Sequence, residues 1–240
     1  MRSLIKTLLY FLSFLFHRNN DSRVVYYHDV GTRYTEMGTD LSMIQRHVRV
    51  IRESGYQIVP EIKQRRGEVM MCFDDGWAGL YDERSFFLRE GICPTVFLAV
   101  DLIGSPGYLS LDQIKELQGL GFRFEGHGWS HQDLTLFDDE SLGHEIAESK
   151  EELSKLLGKP VEAICFPLGR FSDKVIQVSK ESGYSRLFSS LPGGYFDRIG
   201  QDQLICRNLV QNIDGKSFYY LMNSRSPFFF RRALKQHYKR

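Results

Sequence analysis

The chain has 240 residues, 42% hydrophobic and 25% charged, enough to bury one substantial core as a single domain. That balance excludes disordered and collagen-like classes. A formal net charge of +1 supplies no bulk attraction for nucleic acid, so no nucleic acid partner is expected and function must be sought in local sites.

The opening "LIKTLLYFLSFLF" is apolar and aromatic, with Arg2 and Lys6 near its start. It runs for about 13 residues where a membrane-spanning helix needs ~20. No small-x-small cleavage site follows in "HRNNDSR". Residues 1–20 are therefore expected to form a membrane-associating or signal-like segment, with His17 within it. Three forms are open: a helix lying on a bilayer, an uncleaved signal-anchor, or a helix packed on the domain's own surface.

Strand and helix patterns then alternate. "RVVYYHDV" reads as a strand, "DLSMIQRHVRVIRESG" as a helix, and "EVMMCF" as a buried strand. "WAGLYDERSFFLREG" is a helix, "CPTVFLAV" a strand, "SLDQIKELQGLG" a helix capped by Ser110, and "FRFEGH" a strand. A long helix over "DDESLGHEIAESKEELSKLLG", the strand "VEAICFP", a helix capped by Ser172 and the strands "RLFSS" and "LICRNLV" follow. His47 and His144, on polar-faced helices, read as surface residues. Repeated βα units predict an α/β fold, a parallel sheet closed or nearly closed into a barrel, over residues 21–213. Residues 214–240 form an aromatic and basic tail, "FFFRRALKQHYKR", suited either to anionic lipids or to a solvated position behind an apolar docking point. Cys72, Cys93, Cys165 and Cys206 are widely spaced and mostly in apolar runs, which predicts free thiols and leans towards a reducing compartment.

The chemistry-bearing residues stand at predicted strand ends. In "CFDDGW", Asp74 and Asp75 follow a buried strand, and successive residues there point in different directions. One carboxylate can therefore bind a metal while its neighbour acts as a general base, and Gly76 lets the backbone bend beneath the bound group. In "FEGHGWSH", His127 and His131 are four residues apart, a spacing that brings two imidazoles to one face of a helical turn. Two imidazoles and a carboxylate make a hydrolytic metal triad with open positions.

"FDDG", "HGWSH" and "CFPLGRF" resemble the first three motifs of the carbohydrate esterase family 4 polysaccharide deacetylases, the nodulation-type deacetylase domain, over about residues 24–210. The resemblance implies a distorted (β/α)7 TIM-like barrel. It implies Asp74 as catalytic base, Asp75, His127 and His131 as ligands of a divalent metal, zinc first with cobalt, nickel or iron as alternatives, and the Leu168 N–H as oxyanion support. "YYHDV" resembles the permuted subset that includes biofilm poly-N-acetylglucosamine deacetylases, which makes His28 the general acid. Trp77, Trp129, Pro167 and Arg207 are candidates for substrate contact.

The chain departs from the family pattern at three points. Cys165 stands where the third motif carries an arginine that orients the base, with Arg207 a possible substitute; Leu168 replaces an aromatic; Gly128 follows His127 where serine or threonine is usual. The resemblance implies removal of N-acetyl groups from amino sugars of a surface polysaccharide or its lipid-linked precursor. Alternatives are an esterase or deformylase using the same site, or a degenerate carbohydrate-binding protein. The apolar N-terminus and unpaired cysteines suggest a membrane-associated protein at the cytoplasmic face, with export behind an uncleaved anchor as the alternative.

Overall fold

A computed structural model describes residues 2–16, 18–197, 204–224 and 227–239; His17 and the side chains of residues 2–6 and 227–229 lie outside what it describes. Seven strands build the barrel: β1 (Arg23–Tyr27), β2 (Glu68–Phe73), β3 (Thr95–Leu98), β4 (Arg123–Gly126), β5 (Ala163–Cys165), β6 (Arg186–Phe188) and β7 (Arg207–Leu209). They pair in parallel in the order β7-β1-β2-β3-β4-β5-β6. Ile205, just ahead of β7, bridges Phe188 of β6 in parallel, so the sheet is nearly closed and the expected distorted seven-stranded barrel is the observed one.

The helices are α1 (Arg2–Phe16), α2 (Leu41–Glu53), α3 (Gly79–Asp82), α4 (Arg84–Arg89), α5 (Leu111–Gly119), α6 (Asp139–Gly143), α7 (Ser149–Leu157), α8 (Asp173–Glu181), α9 (Gly215–Met222) and α10 (Pro227–His237). Ser110 caps α5 through a reciprocal box with Gln113, and Ser172 caps α8 through the Val175 N–H, as the sequence suggests. Two expected helices are interrupted. Residues 77–91 divide into α3 and α4, and a π-helical turn over His144–Glu148 separates α6 from α7.

Strand alternation sorts the core into two shells. Val24, Tyr26, Met70, Cys72, Phe97, Ala163, Cys165, Phe188 and Ile205 fill the barrel interior. Val25, Tyr27, Val69, Met71, Phe73, Val96, Phe124 and Ile164 pack outward against the helices. The same period continues into the polar groups: Asp74 lies just beyond β2, after Met70 and Cys72, and Arg207, which opens β7 after Ile205, sends its side chain up to it. Polar groups thereby crown an apolar floor at the carboxyl end of the barrel.

His47 is buried, not on the surface as its helix pattern suggested. Its ring stacks on Phe218 at 4.1 Å between centroids, with Nδ1 2.9 Å from the Tyr27 hydroxyl and Nε2 2.6 Å from the Ile213 carbonyl. His144 is half-buried, its ring 4.3 Å from Trp129. The basic tail is not free either: α10 is helical, and beyond it the Lys239 N–H donates to the Phe171 carbonyl at 2.8 Å.

Burial pushes the His47 imidazole down to about 4, so the folded chain binds fewer protons here than the unfolded one between about 4 and 6.5. The contribution is present in full above 6.5 and is lost as pH falls towards 4, a loss on the order of 3 kcal/mol. Urea unfolding should show stability declining over this window in the parent chain and declining less steeply in His47→Phe.

Candidate active site

Asp74 is 3% exposed and sits on the strand-end layer, where Arg207 reaches across from β7. Arg207 Nη1 donates to Asp74 Oδ1 at 2.6 Å and Nη2 to Oδ2 at 2.8 Å, while Nε donates to the Ser189 carbonyl at 3.1 Å. The guanidinium lies 4.1 Å from the Tyr26 ring centroid and 5.2 Å from that of Phe97. Burial alone would raise the Asp74 carboxyl. The charge and hydrogen bonds of Arg207, with smaller help from His127 and His28, outweigh it and hold the group below its ordinary value.

Asp75 turns the other way because its backbone enters the left-handed region, φ 71°, ahead of Gly76 at φ 80°. Its Oδ1 stands 3.0 Å from His131 Nε2 and 3.4 Å from His127 Nε2. His127 Nδ1 bonds the Cys165 carbonyl at 2.6 Å and must be the donor, so Nε2 presents a lone pair to a carboxylate oxygen. That oxygen is buried and accepts no well-formed hydrogen bond. Burial tends to raise the Asp75 carboxyl, while hydrogen bonds and positive charge from the two imidazoles, when they carry a proton towards it, hold it well below its usual range; a cation would take that part with the rings neutral. Acceptor atoms of three residues thus converge within 4.8 Å of one another, which is the donor set of a divalent cation. Cys165 adds no ligand, since burial keeps its thiol protonated.

The histidine pair is not brought together by a helical turn. Residues 127–131 form an irregular loop in which Gly128 has φ 78° and His131 φ 58°. Glu145, buried on the π-helical turn, accepts from the backbone N–H groups of Trp129 and Ser130 at 3.0 and 3.1 Å, and its Oε1 takes the Ser130 hydroxyl. A Cβ at Gly128 would lie 3.4 Å from both Glu145 Oε2 and Pro167 Cγ, so glycine here lets Glu145 close on the loop.

His28 follows β1, and its Nδ1 lies 2.6 Å from Gln211 Oε1. It lines one cavity of about 960 Å³ with Asp74, Asp75, His127, His131 and Leu168. Leu168 adopts φ 56° at the rim and is 53% exposed. Three of the residues held in the left-handed region, Asp75, His131 and Leu168, thus belong to this cluster, each at a cost of about 1 kcal/mol or more.

Of the four residues read as substrate contacts, Arg207 and Pro167 are buried, and Trp77 and Trp129 are half-buried. Arg207 is sealed from solvent and committed to Asp74, which suits the motif arginine's orienting role and not a ligand contact. Trp77 gives its indole N–H to Asp75 Oδ2 at 3.1 Å and stacks on Tyr108 at 4.0 Å; Trp129 lies against His144. Pro167 is buried behind the loop, beside Gly128. Sequence reading did not single out Glu145 or Gln211. A glutamate in an apolar helix face was a signal for the first; a glutamine in the loop after β7 carried none.

The barrel thus gathers an aspartate pair and two histidines at its strand ends, the donor set of a hydrolytic metal site. The polysaccharide deacetylase family model matches residues 61–187, and the chain belongs to that family. YxkH of Bacillus subtilis (strain 168), whose name places it among the polysaccharide deacetylases, is 22% identical over 181 residues, 71% of this chain and 64% of that protein's length. The Streptococcus pyogenes deacetylase PplD, solved with acetate, superposes with TM-score 0.72 at 20% identity, covering 85% of this chain and 98% of that one. BC0361 of Bacillus cereus, a polysaccharide deacetylase, superposes with TM-score 0.74 at 22% identity, covering 85% and 69%. These structures share the fold.

Two outcomes test the geometry. Arg207→Met should lower stability by about 3–5 kcal/mol, because it strands the Asp74 charge, and adding Asp74→Asn should recover much of the loss in a denaturant titration. Glu145→Gln should weaken divalent-cation affinity by about 10- to 100-fold in a competition titration while leaving the far-UV circular dichroism unchanged.

Proposed function

We propose that the protein is a divalent-metal-dependent hydrolase that removes N-acetyl groups from amino sugars of a glycan. The observation that carries this reading is the division of labour between adjacent carboxylates, with Asp75 facing two imidazoles and Asp74 held apart by Arg207. The acetate bound in the S. pyogenes neighbour supports an acetyl group as the one released.

Asp75, His127 and His131 would hold the cation, which when bound supplies Lewis acidity to polarise the acyl carbonyl and acidify a water. Asp74, kept ionised by Arg207, accepts the proton of the attacking water. The Leu168 backbone at the rim offers an N–H to the developing oxyanion. His28, its Nδ1 engaged by Gln211, delivers a proton from Nε2 to the departing amine, so that water and amide become acetate and a free amino sugar. Gln211 keeps that ring in one orientation across the cavity from the metal ligands. The bidentate Arg207 fills the role of the missing third-motif arginine, and with it the motive for a binding-only reading weakens.

Acetate release from N-acetylglucosamine oligomers tests the reading. The zinc-loaded protein should release acetate, Asp74→Asn should lose at least 10³-fold in kcat, and His28→Ala 10²- to 10⁴-fold. A metal-loaded, folded chain that leaves these oligomers intact while hydrolysing O-acetyl or N-formyl sugars would transfer the site to another acyl group.

A further inference from the structure

Helix α1 has two faces. Thr7, Tyr10, Ser13 and Phe14 turn towards α9, where Thr7 Oγ1 lies 2.8 Å from Ser217 Oγ and the Phe14 ring centroid 5.4 Å from that of Tyr220. Away from α9 the described side chains are exposed and apolar: Leu8 at 55%, Leu12 at 40%, Leu15 at 51% and Phe16 at 75%, with Phe11, whose ring centroid lies 5.3 Å from that of Tyr220, at the margin and 36% exposed. Their spacing of i, i+3, i+4, i+7 and i+8 makes one continuous stripe, with Tyr219 of α9 also exposed. Scattered surface leucines need no explanation; a stripe of five large side chains on one helix does.

The charges at the carboxyl end of this stripe are cationic, while Asp214 caps α9 near the other end, where Ser217 meets Thr7. Arg18, two residues beyond α1, bridges Ser224, just ahead of α10, so the end of one helix adjoins the start of the other. Arg18 packs its guanidinium 4.5 Å from the Phe14 ring centroid. On α10, Arg231, Arg232 and Lys235 are exposed, and neither α1 nor α10 contains an acidic residue. Leu9 and Tyr10 of α1 and Arg232, Ala233 and Gln236 of α10 line the cavity that holds Asp74 and Asp75. Among the described residues no helix is long and apolar enough to cross a membrane.

We propose that the exposed face of α1, with the cations of Arg18 and α10, is a docking surface for an anionic lipid bilayer, and that the catalytic cavity opens beside it. The apolar stripe enters the headgroup region parallel to the bilayer plane, and the arginines and lysine meet lipid phosphates. Charge selects this occupant over a second copy of the chain, because a two-fold contact through the same patch would set like cations near one another. A corollary, which rests on the deacetylase reading, is that an amino sugar anchored in the bilayer reaches Asp74 without leaving the surface.

Flotation of the full chain with vesicles tests the docking. Vesicles of phosphatidylcholine and phosphatidylglycerol, 3:1, should carry the protein to the top of the gradient. Pure phosphatidylcholine or high salt should reduce binding at least tenfold, as should the exposed double variant Leu12→Glu, Leu15→Glu. Arg231→Glu with Lys235→Glu should do the same. The Leu12→Glu, Leu15→Glu variant should keep the parental melting temperature and its acetate release from soluble oligomers, yet lose at least tenfold on an N-acetylglucosaminyl diacylglycerol held in those vesicles. Absence of vesicle binding by a folded parent chain overturns the proposal, and so does sedimentation showing a dimer that the double variant splits. Vesicle binding without acetate release from any substrate would sustain the docking surface and overturn the deacetylase reading instead.

Discussion

One buried ion pair sets the terms for the rest of the site. Asp74 lies where the barrel interior meets the cavity, and a lone carboxylate there would take up a proton and cease to be a base. Arg207 prevents this from the next strand but one, through two hydrogen bonds to the carboxylate and a third to the Ser189 carbonyl. Its partners only meet because β7 lies beside β1 and β1 beside β2, so the strand order itself delivers the cation to the base. With Asp74 occupied in this way, Asp75 is left to the two histidines. Adjacent residues with opposed directions become two functions, at the cost of a left-handed backbone at Asp75.

Around this pair the second layer is assembled from elements distant in sequence. Cys165 contributes its backbone: the carbonyl fixes the His127 tautomer, and the thiol remains neutral and buried. Glu145 gathers the Trp129 and Ser130 amides from a π-helical turn, a local widening of the helix that places a carboxylate beneath the loop.

Much of the barrel was legible in the sequence because its strands are short apolar runs separated by helical patterns, and "EVMMCF" coincides with β2. The aspartate pair and His127 could be placed at strand ends for the same reason. What could not be read was tertiary. His47 looks solvated on its helix, but the aromatic cluster of Tyr27 and Phe218 covers it. The His127–His131 pair suggested a helical turn, whereas left-handed residues and Glu145 shape the loop. Trp77 and Trp129 looked like sugar platforms, yet each has a ring face occupied by a neighbour. Local pattern records which residues avoid water, and it is silent on which distant residue covers them. The ends of the chain illustrate the same point, since α1 and α10 both reach the cavity wall and Arg18 pairs with Ser224 between them.

The account stands on Asp74 and Asp75 having different tasks, and zinc stoichiometry in the aspartate variants tests that most directly. After dialysis against trace metal, the parent chain and Asp74→Asn should each retain about one zinc per chain, while Asp75→Asn and His131→Ala should retain almost none. Equal retention by all four proteins, or loss of zinc in Asp74→Asn with Asp75→Asn still loaded, would contradict the assignment.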